Sequence, residues 1–108
     1  MSYSTSIYQV LKAIDISYEK DNFDFKTTLD ITKLNISKRR LELILENLSN
    51  DGYIIDINVR RDSGGNAIIA IGTPRLTTAG LIFLEENTAM KKAYEALKEA
   101  RGWIPGLS

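Results

Sequence analysis

The chain contains no cysteine and no histidine. Disulfides, thiolate chemistry and zinc sites of the Cys/His kind are therefore excluded, and acid–base catalysis loses its commonest side chain. Any excess of charge is also missing, because fourteen basic residues balance fourteen acidic ones. Proteins bind duplex DNA largely by neutralising phosphates and releasing counterions. A neutral chain can do so only through a local basic patch, with its carboxylates turned elsewhere. No stretch approaches the roughly 18 apolar residues of a membrane span. Met1-Ser2-Tyr3-Ser4 has neither a basic region nor an apolar run, so no signal peptide is expected. The lack of cysteine fits a reducing compartment, and the expected location is the cytoplasm.

The length of 108 residues suits one domain, and 44% hydrophobic content is ordinary for a globular protein. Ser4, Thr5 or Ser6 can cap a first helix, in which Ile7, Val10, Leu11, Ile14 and Tyr18 form one apolar stripe. Glu19 to Asn22 is a polar loop. Phe23 and Phe25 alternate with Asp24 as in a short strand. Thr27-Thr28 or Asp30 can start a short second helix ending near Leu34, with a turn at Asn35.

Residues 35–72 are the most telling. Ile36 and Ser37 suit a staple residue and an N-cap. A third helix, Ser37–Asp51, follows, with Leu41, Ile44, Leu45 and Leu48 on its inner face at i, i+3, i+4, i+7 spacing. Its outer face carries Arg39, Leu43, Glu46 and Asn50, flanked by Arg40 and Asn47. Gly52 suits a left-handed cap. Tyr53, Ile55, Ile57 and Val59 then alternate with Ile54, Asp56, Asn58 and Arg60, which predicts a strand with its greasy face on the first set. Gly64-Gly65-Asn66 supplies a hairpin turn, Ala67 to Ile71 is the return strand, and Pro74 is expected to stop the ladder. A fourth helix starts at Thr77 or Thr78 and gives out near Asn87. A fifth starts at Thr88 and carries Met90, Ala93, Tyr94, Leu97, Arg101 and Ile104 as a stripe.

The expected fold is thus α+β: a winged helix-turn-helix in the order α, short β, α, α, β, β, with two additional C-terminal helices. One domain would span residues 1–108, its core about 4–73 and its helical extension about 76–104. Helix, glycine, hairpin is the pattern that carries this expectation.

Three features resemble the YjcQ-like family, small winged-helix proteins of Gram-positive bacteria and their phages. They are Asp51-Gly52-Tyr53-Ile54-Ile55; Leu76-Thr77-Thr78-Ala79-Gly80 with Phe83-Leu84-Glu85-Glu86-Asn87; and Lys91-Lys92-Ala93-Tyr94 with Leu97-Lys98 and Trp103-Ile104-Pro105. The resemblance spans the whole chain, and its C-terminal block is the most distinctive part. It implies a winged-helix fold and a phage or prophage origin, and it carries over no functional residue.

Two places would touch duplex DNA in such a fold. Lys38, Arg39 and Arg40 open the third helix, where the first turn meets base edges and phosphates. Arg39 is the best base reader, since arginine pairs in bidentate fashion with guanine, while Lys38 suits a phosphate. Cations beside the positive end of a helix are disfavoured by about 0.3–1 kcal/mol, so this cluster calls for a counter-charge. Asn47 lies further along the helix. Arg60 and Arg61 lie at the hairpin tip, where a wing arginine can enter a minor groove or clamp the backbone. The plainer reading of that pair is an edge strand guarded by charge. Lys26, Thr27, Thr28 and Lys33, around the second helix, could hold phosphates. Glu46 would repel them.

The rival reading is a protein-interaction module without DNA binding, using Leu43 and the C-terminal group Tyr94, Leu97, Trp103 and Ile104, through which a homodimer could also form. A dimer would want half-sites about one helical turn apart. Gly64-Gly65 lacks the context of a phosphate-binding loop, and Asp21, Asn22 and Asp24 lack the glycine and glutamate of a calcium loop. No metal, cofactor, small-molecule ligand or membrane partner is expected. No catalytic residue is expected either, since Ser, Lys and Tyr fall into no triad-like group.

Overall fold

The first apolar stripe becomes the pillar of the fold. In the computed structural model, which describes residues 3–87, 91–92 and 95–96, helix α1 (Tyr3–Lys20) packs against both short helices, the hairpin and the last described helix. Val10, Leu11 and Ile14 are completely buried. Encirclement widens the buried face beyond one stripe, so Ser6, Tyr8, Gln9 and Ser17 are inside too. Tyr18, expected in the stripe, is 47% exposed, and Tyr8 is the buried tyrosine instead.

The loop after α1 holds no strand at Phe23–Phe25. The Asp24 carboxylate accepts from the Thr27 N–H at 3.1 Å and from the Thr27 hydroxyl, and so caps α2 (Phe25–Thr28). A cap satisfied locally needs no partner strand, and this one overrides the apolar–polar alternation. Asp30 caps α3 (Ile31–Leu34) by accepting from Thr32 N–H at 2.9 Å. Asn35 then reverses the chain with φ at 57°. Ser37 caps α4 (Lys38–Asn50), its hydroxyl accepting from Arg40 N–H at 3.0 Å. As the spacing predicts, Leu41, Ile44, Leu45 and Leu48 are the buried residues of α4. Gly52 leaves the helix with φ at 81°, a conformation that suits glycine.

The hairpin is antiparallel, β1 (Ile54–Arg61) with β2 (Ala67–Leu76), and it departs from the expected phase. Ile57 pairs with Ile71 but Ile55 with Arg75, so Gly72, Thr73 and Pro74 oppose Asp56 alone. Asp56 takes φ of 67°, and its carboxylate accepts from Thr73 N–H at 3.2 Å and from Arg75 Nη1 at 3.1 Å. This bulge flips the strand. Ile54 and Ile57 are buried, while Ile55, expected inside with Tyr53, is 36% exposed. It also corrects the expectation that Pro74 ends the ladder. Pro74 sits in the irregular stretch, where no ladder N–H is needed, and β2 continues to Leu76.

Helix α5 (Thr78–Glu86) is capped by Thr77, whose N–H donates to Tyr53 O at 3.0 Å. Gly80 lies against that same carbonyl, and a Cβ there would stand 2.3 Å from it. Tyr53 and Phe83 face each other with ring centroids 5.6 Å apart. Lys91, Lys92, Glu95 and Ala96 are helical and exposed. The rest of the expected fifth helix, with Tyr94, Leu97, Trp103 and Ile104, lies outside the described residues. The described residues are α+β, with helices α1 to α5, the further helical residues 91–92 and 95–96, and a two-stranded sheet, an order compatible with a winged helix. No described helix is long and apolar enough to cross a membrane.

Candidate nucleic-acid interface

Two sequence-distant elements meet on one face. The turn through Asn35 and the Ser37 cap aim the first turn of α4 outward, and the hairpin brings its tip alongside. Ser37, Arg39, Arg40, Leu43, Arg61 and Gly65 together line a polar groove of about 420 Å³. Three of the predicted cations thus share one hollow. The tip is held by its own aspartate. Asp62 Oδ1 accepts from the N–H groups of Gly64 and Asn66, both at 2.9 Å. Those donors, Asn66 first, hold the Asp62 carboxyl below the usual carboxylate range. Gly65, with φ at 81°, completes the turn.

The cations differ in how they are held. Arg40 lies over the Tyr3 ring with its guanidinium carbon 4.3 Å from the centroid, a cation–π contact that restricts where its head can point. Arg61 Nη2 bonds Glu46 Oε1 at 3.1 Å, tying the wing to the outer face of α4. Among the described residues Lys38, Arg39 and Arg60 form no ion pair with a carboxylate. The first turn of α4 contains no acidic residue, so the positive end of the helix adds to the cluster rather than being offset within the helix.

Other predicted residues stand apart from the groove. Lys38 projects to the opposite flank of α4, where with Lys26, Phe25, Leu29, Leu41 and Ile69 it borders a separate apolar hollow. Arg60 is exposed on the outer face of the hairpin, paired across the strands with Ile68. Thr28 Oγ1 accepts from Asp24 N–H at 3.3 Å, a local bond within α2. Lys33 is exposed on α3. Asn47 and Leu43 lie with Tyr3, Ile7, Tyr53 and Phe83 along a second, mainly apolar groove of about 250 Å³. Nothing in the sequence marked Tyr3 as the seat of Arg40 or Glu46 as the partner of Arg61. Both are contacts between distant segments. Among the described residues no group of His, Cys, Asp and Glu could hold a metal ion.

A family profile described as YjcQ protein matches residues 8–103. The chain belongs to the YjcQ family. The match runs from the second turn of α1 past the C-terminal helical residues, so it covers both walls of the groove. No curated protein and no solved structure matches the chain. Family membership therefore covers the whole interface without assigning it a ligand.

Proposed function

We propose that this chain is a winged-helix protein that binds double-stranded DNA, with α4 as the recognition helix and the β1–β2 hairpin as the wing. The observation that carries this is the convergence of Arg39, Arg40 and Arg61 on one polar groove at the N-terminus of α4. In this reading Arg39 meets a guanine edge and Arg40, braced on Tyr3, a flanking phosphate. Arg61 and Arg60 grip the backbone beside the contacted groove. A role in transcription regulation of the kind found in phages and prophages follows from the same reading.

The test is a salt titration on a mixed-sequence duplex pool. Each phosphate neutralised adds about −0.9 to the slope of log K against log salt. Arg39→Ala changes base preference, at about 1–3 kcal/mol for one bidentate contact. Arg60→Ala with Arg61→Ala weakens all sequences alike. Absence of binding at ~50 mM salt ends the proposal, since the electrostatic term is strongest there.

A second reading has its own observation. Leu43 is 37% exposed and opens onto the apolar groove of Tyr3, Ile7 and Phe83, a surface suited to a protein partner. Pull-downs with Leu43→Asp and Arg39→Glu separate the two. A protein partner depends on Leu43, and DNA depends on Arg39.

A further inference from the structure

We propose that the outer edge of β2 pairs with the same edge of a second copy of this chain, joining two hairpins into one four-stranded antiparallel sheet. The two edges of this hairpin are unlike. β1 carries Asp56, Arg60 and Arg61 along its length, whereas the extra residues of the bulge, Gly72-Thr73-Pro74, interrupt β2 only beyond Ile71. Charges and bulges are the usual guards against strand addition. β2 offers Ala67-Ile68-Ile69-Ala70-Ile71, five apolar residues with no charge and no proline. Among the described residues the only strand pairing of this run is with β1, and no other backbone hydrogen bond reaches it. Ile68 is 53% exposed and Ile71 38%.

The run is also complementary to itself. A two-fold axis through Ile69, normal to the sheet, sets Ile69 against Ile69, Ile68 against Ala70 and Ala67 against Ile71. Large side chains then meet small ones on both faces, and Ile69 meets its own copy. Moving the register by one residue would oppose inner-face to outer-face residues, so the register is specified. On the inner face, Ile69 borders the hollow of about 370 Å³ formed with Phe25, Leu29 and Leu41. An added strand has an apolar recess beside it for its inner-face isoleucines. Five residues span about 17 Å, well short of a standard interface, so the pair is weak and concentration-dependent.

The test is sedimentation equilibrium without DNA, up to about 1 mM chain, where an interaction of about 4 kcal/mol is half-populated. The expected mass climbs from 12.1 kDa toward twice that value. Ile68→Lys with Ala70→Lys sets like charges directly opposite across the seam, on exposed positions outside the core. It should weaken association at least about tenfold. Asn58→Lys, on the outer face of β1, should leave association unchanged. A wild-type chain that stays at 12.1 kDa overturns the proposal. So does a dimer that survives the double substitution, which would place the interface elsewhere. Should the double variant fail to fold, amide exchange of the wild type decides. Protection that rises with concentration within residues 67–71 supports the pairing, and protection that does not change refutes it. DNA binding is absent from every arm, so the two proposals fail separately.

Discussion

Replacing Glu46 by glutamine should tighten DNA binding at a modest cost in stability. Glu46 Oε1 and Arg61 Nη2 are 3.1 Å apart, with the two side chains 25% and 36% exposed. An ion pair so open to solvent contributes about 0.2–1 kcal/mol. Its loss lowers the melting temperature by a few degrees, since 1 kcal/mol corresponds to about 4–8 °C in a small domain. The effect on DNA is larger and of opposite sign. A phosphate accepting from Arg61 at ~2.9 Å would lie about 6 Å from the Glu46 carboxylate. Repulsion at that distance is about 0.7 kcal/mol in bulk water and about 2.8 kcal/mol at an effective dielectric of 20. Screening at ~50 mM salt reduces either figure, so about 1 kcal/mol, or roughly fivefold tighter binding, is expected. Fluorescence anisotropy on a labelled duplex measures it. The released guanidinium should also steepen the salt slope by up to about 0.9. In an Arg61→Ala background the gain from Glu46→Gln should shrink by more than half, because its main beneficiary is gone. Unchanged or weaker binding by a folded Glu46→Gln variant would refute Arg61 as a backbone contact.

Three further outcomes follow from the packing and the turn. Gly80→Ala should destabilise the fold by about 2 kcal/mol, since the clash with Tyr53 O outweighs the ~1 kcal/mol helix preference of alanine, and a raised denaturation midpoint would contradict that close approach. Gln9→Met should stabilise by about 1 kcal/mol, because the buried Gln9 Oε1 has no hydrogen-bond partner among the described residues; chemical denaturation reads the sign. The Asp62 carboxyl titrates below its ordinary value of 3.8, so its hold on the tip is complete above the unfolded value and lost as pH falls through the folded one. The amide shifts of Gly64 and Asn66 should titrate together in that acidic window, and a midpoint at or above the ordinary value would remove Asp62 as the holder of the turn.

How much of this was legible depends on how far apart the cooperating residues lie. The inner face of α4 was readable because Leu41, Ile44, Leu45 and Leu48 repeat with the helix itself. The cap at Ser37 and the left-handed Gly52 were readable because each is settled within a few residues, and Asp30 and Thr77 were each one of two local alternatives. The phase of β1 was not. It turns on Asp56 accepting from Thr73 and Arg75, seventeen and nineteen residues away, and alternation alone runs straight through such a bulge. Gly72 belongs to the same device, since a Cβ there would come within 3.1 Å of the Asp56 carboxyl. Phe23 and Phe25 misled for a different reason: the deciding contact, Asp24 with Thr27, is local but reaches one residue beyond the alternation. At the candidate interface both basic clusters were visible as residues. The meeting of Arg39, Arg40 and Arg61 in one groove needed the hairpin to fold beside α4, and Lys38 and Arg60 stay outside it.

The balanced charge of the chain argues against long-range attraction to DNA, and carboxylates bonded to backbone amides keep their charge. Several carboxylates are committed to the backbone rather than to cations. Asp24 and Asp30 cap short helices, and Asp62 binds the amides of the hairpin tip. Asp56 serves Thr73 and Arg75 at the far end of the hairpin. Among the described acids only Glu46 forms an ion pair with one of the five cations the sequence singled out. Net charge governs steering within about a Debye length, about 10 Å at 0.1 M salt and longer at lower salt, whereas contact energy depends on the charges that face the ligand. A neutral protein of this design would reach DNA without strong steering, and Arg39 and its neighbours would act only once the groove is occupied. Association rates should therefore vary little with salt, and the salt dependence of affinity should lie mainly in dissociation. Stopped-flow association that slows steeply with salt would show instead that the cations act as a field rather than as contacts.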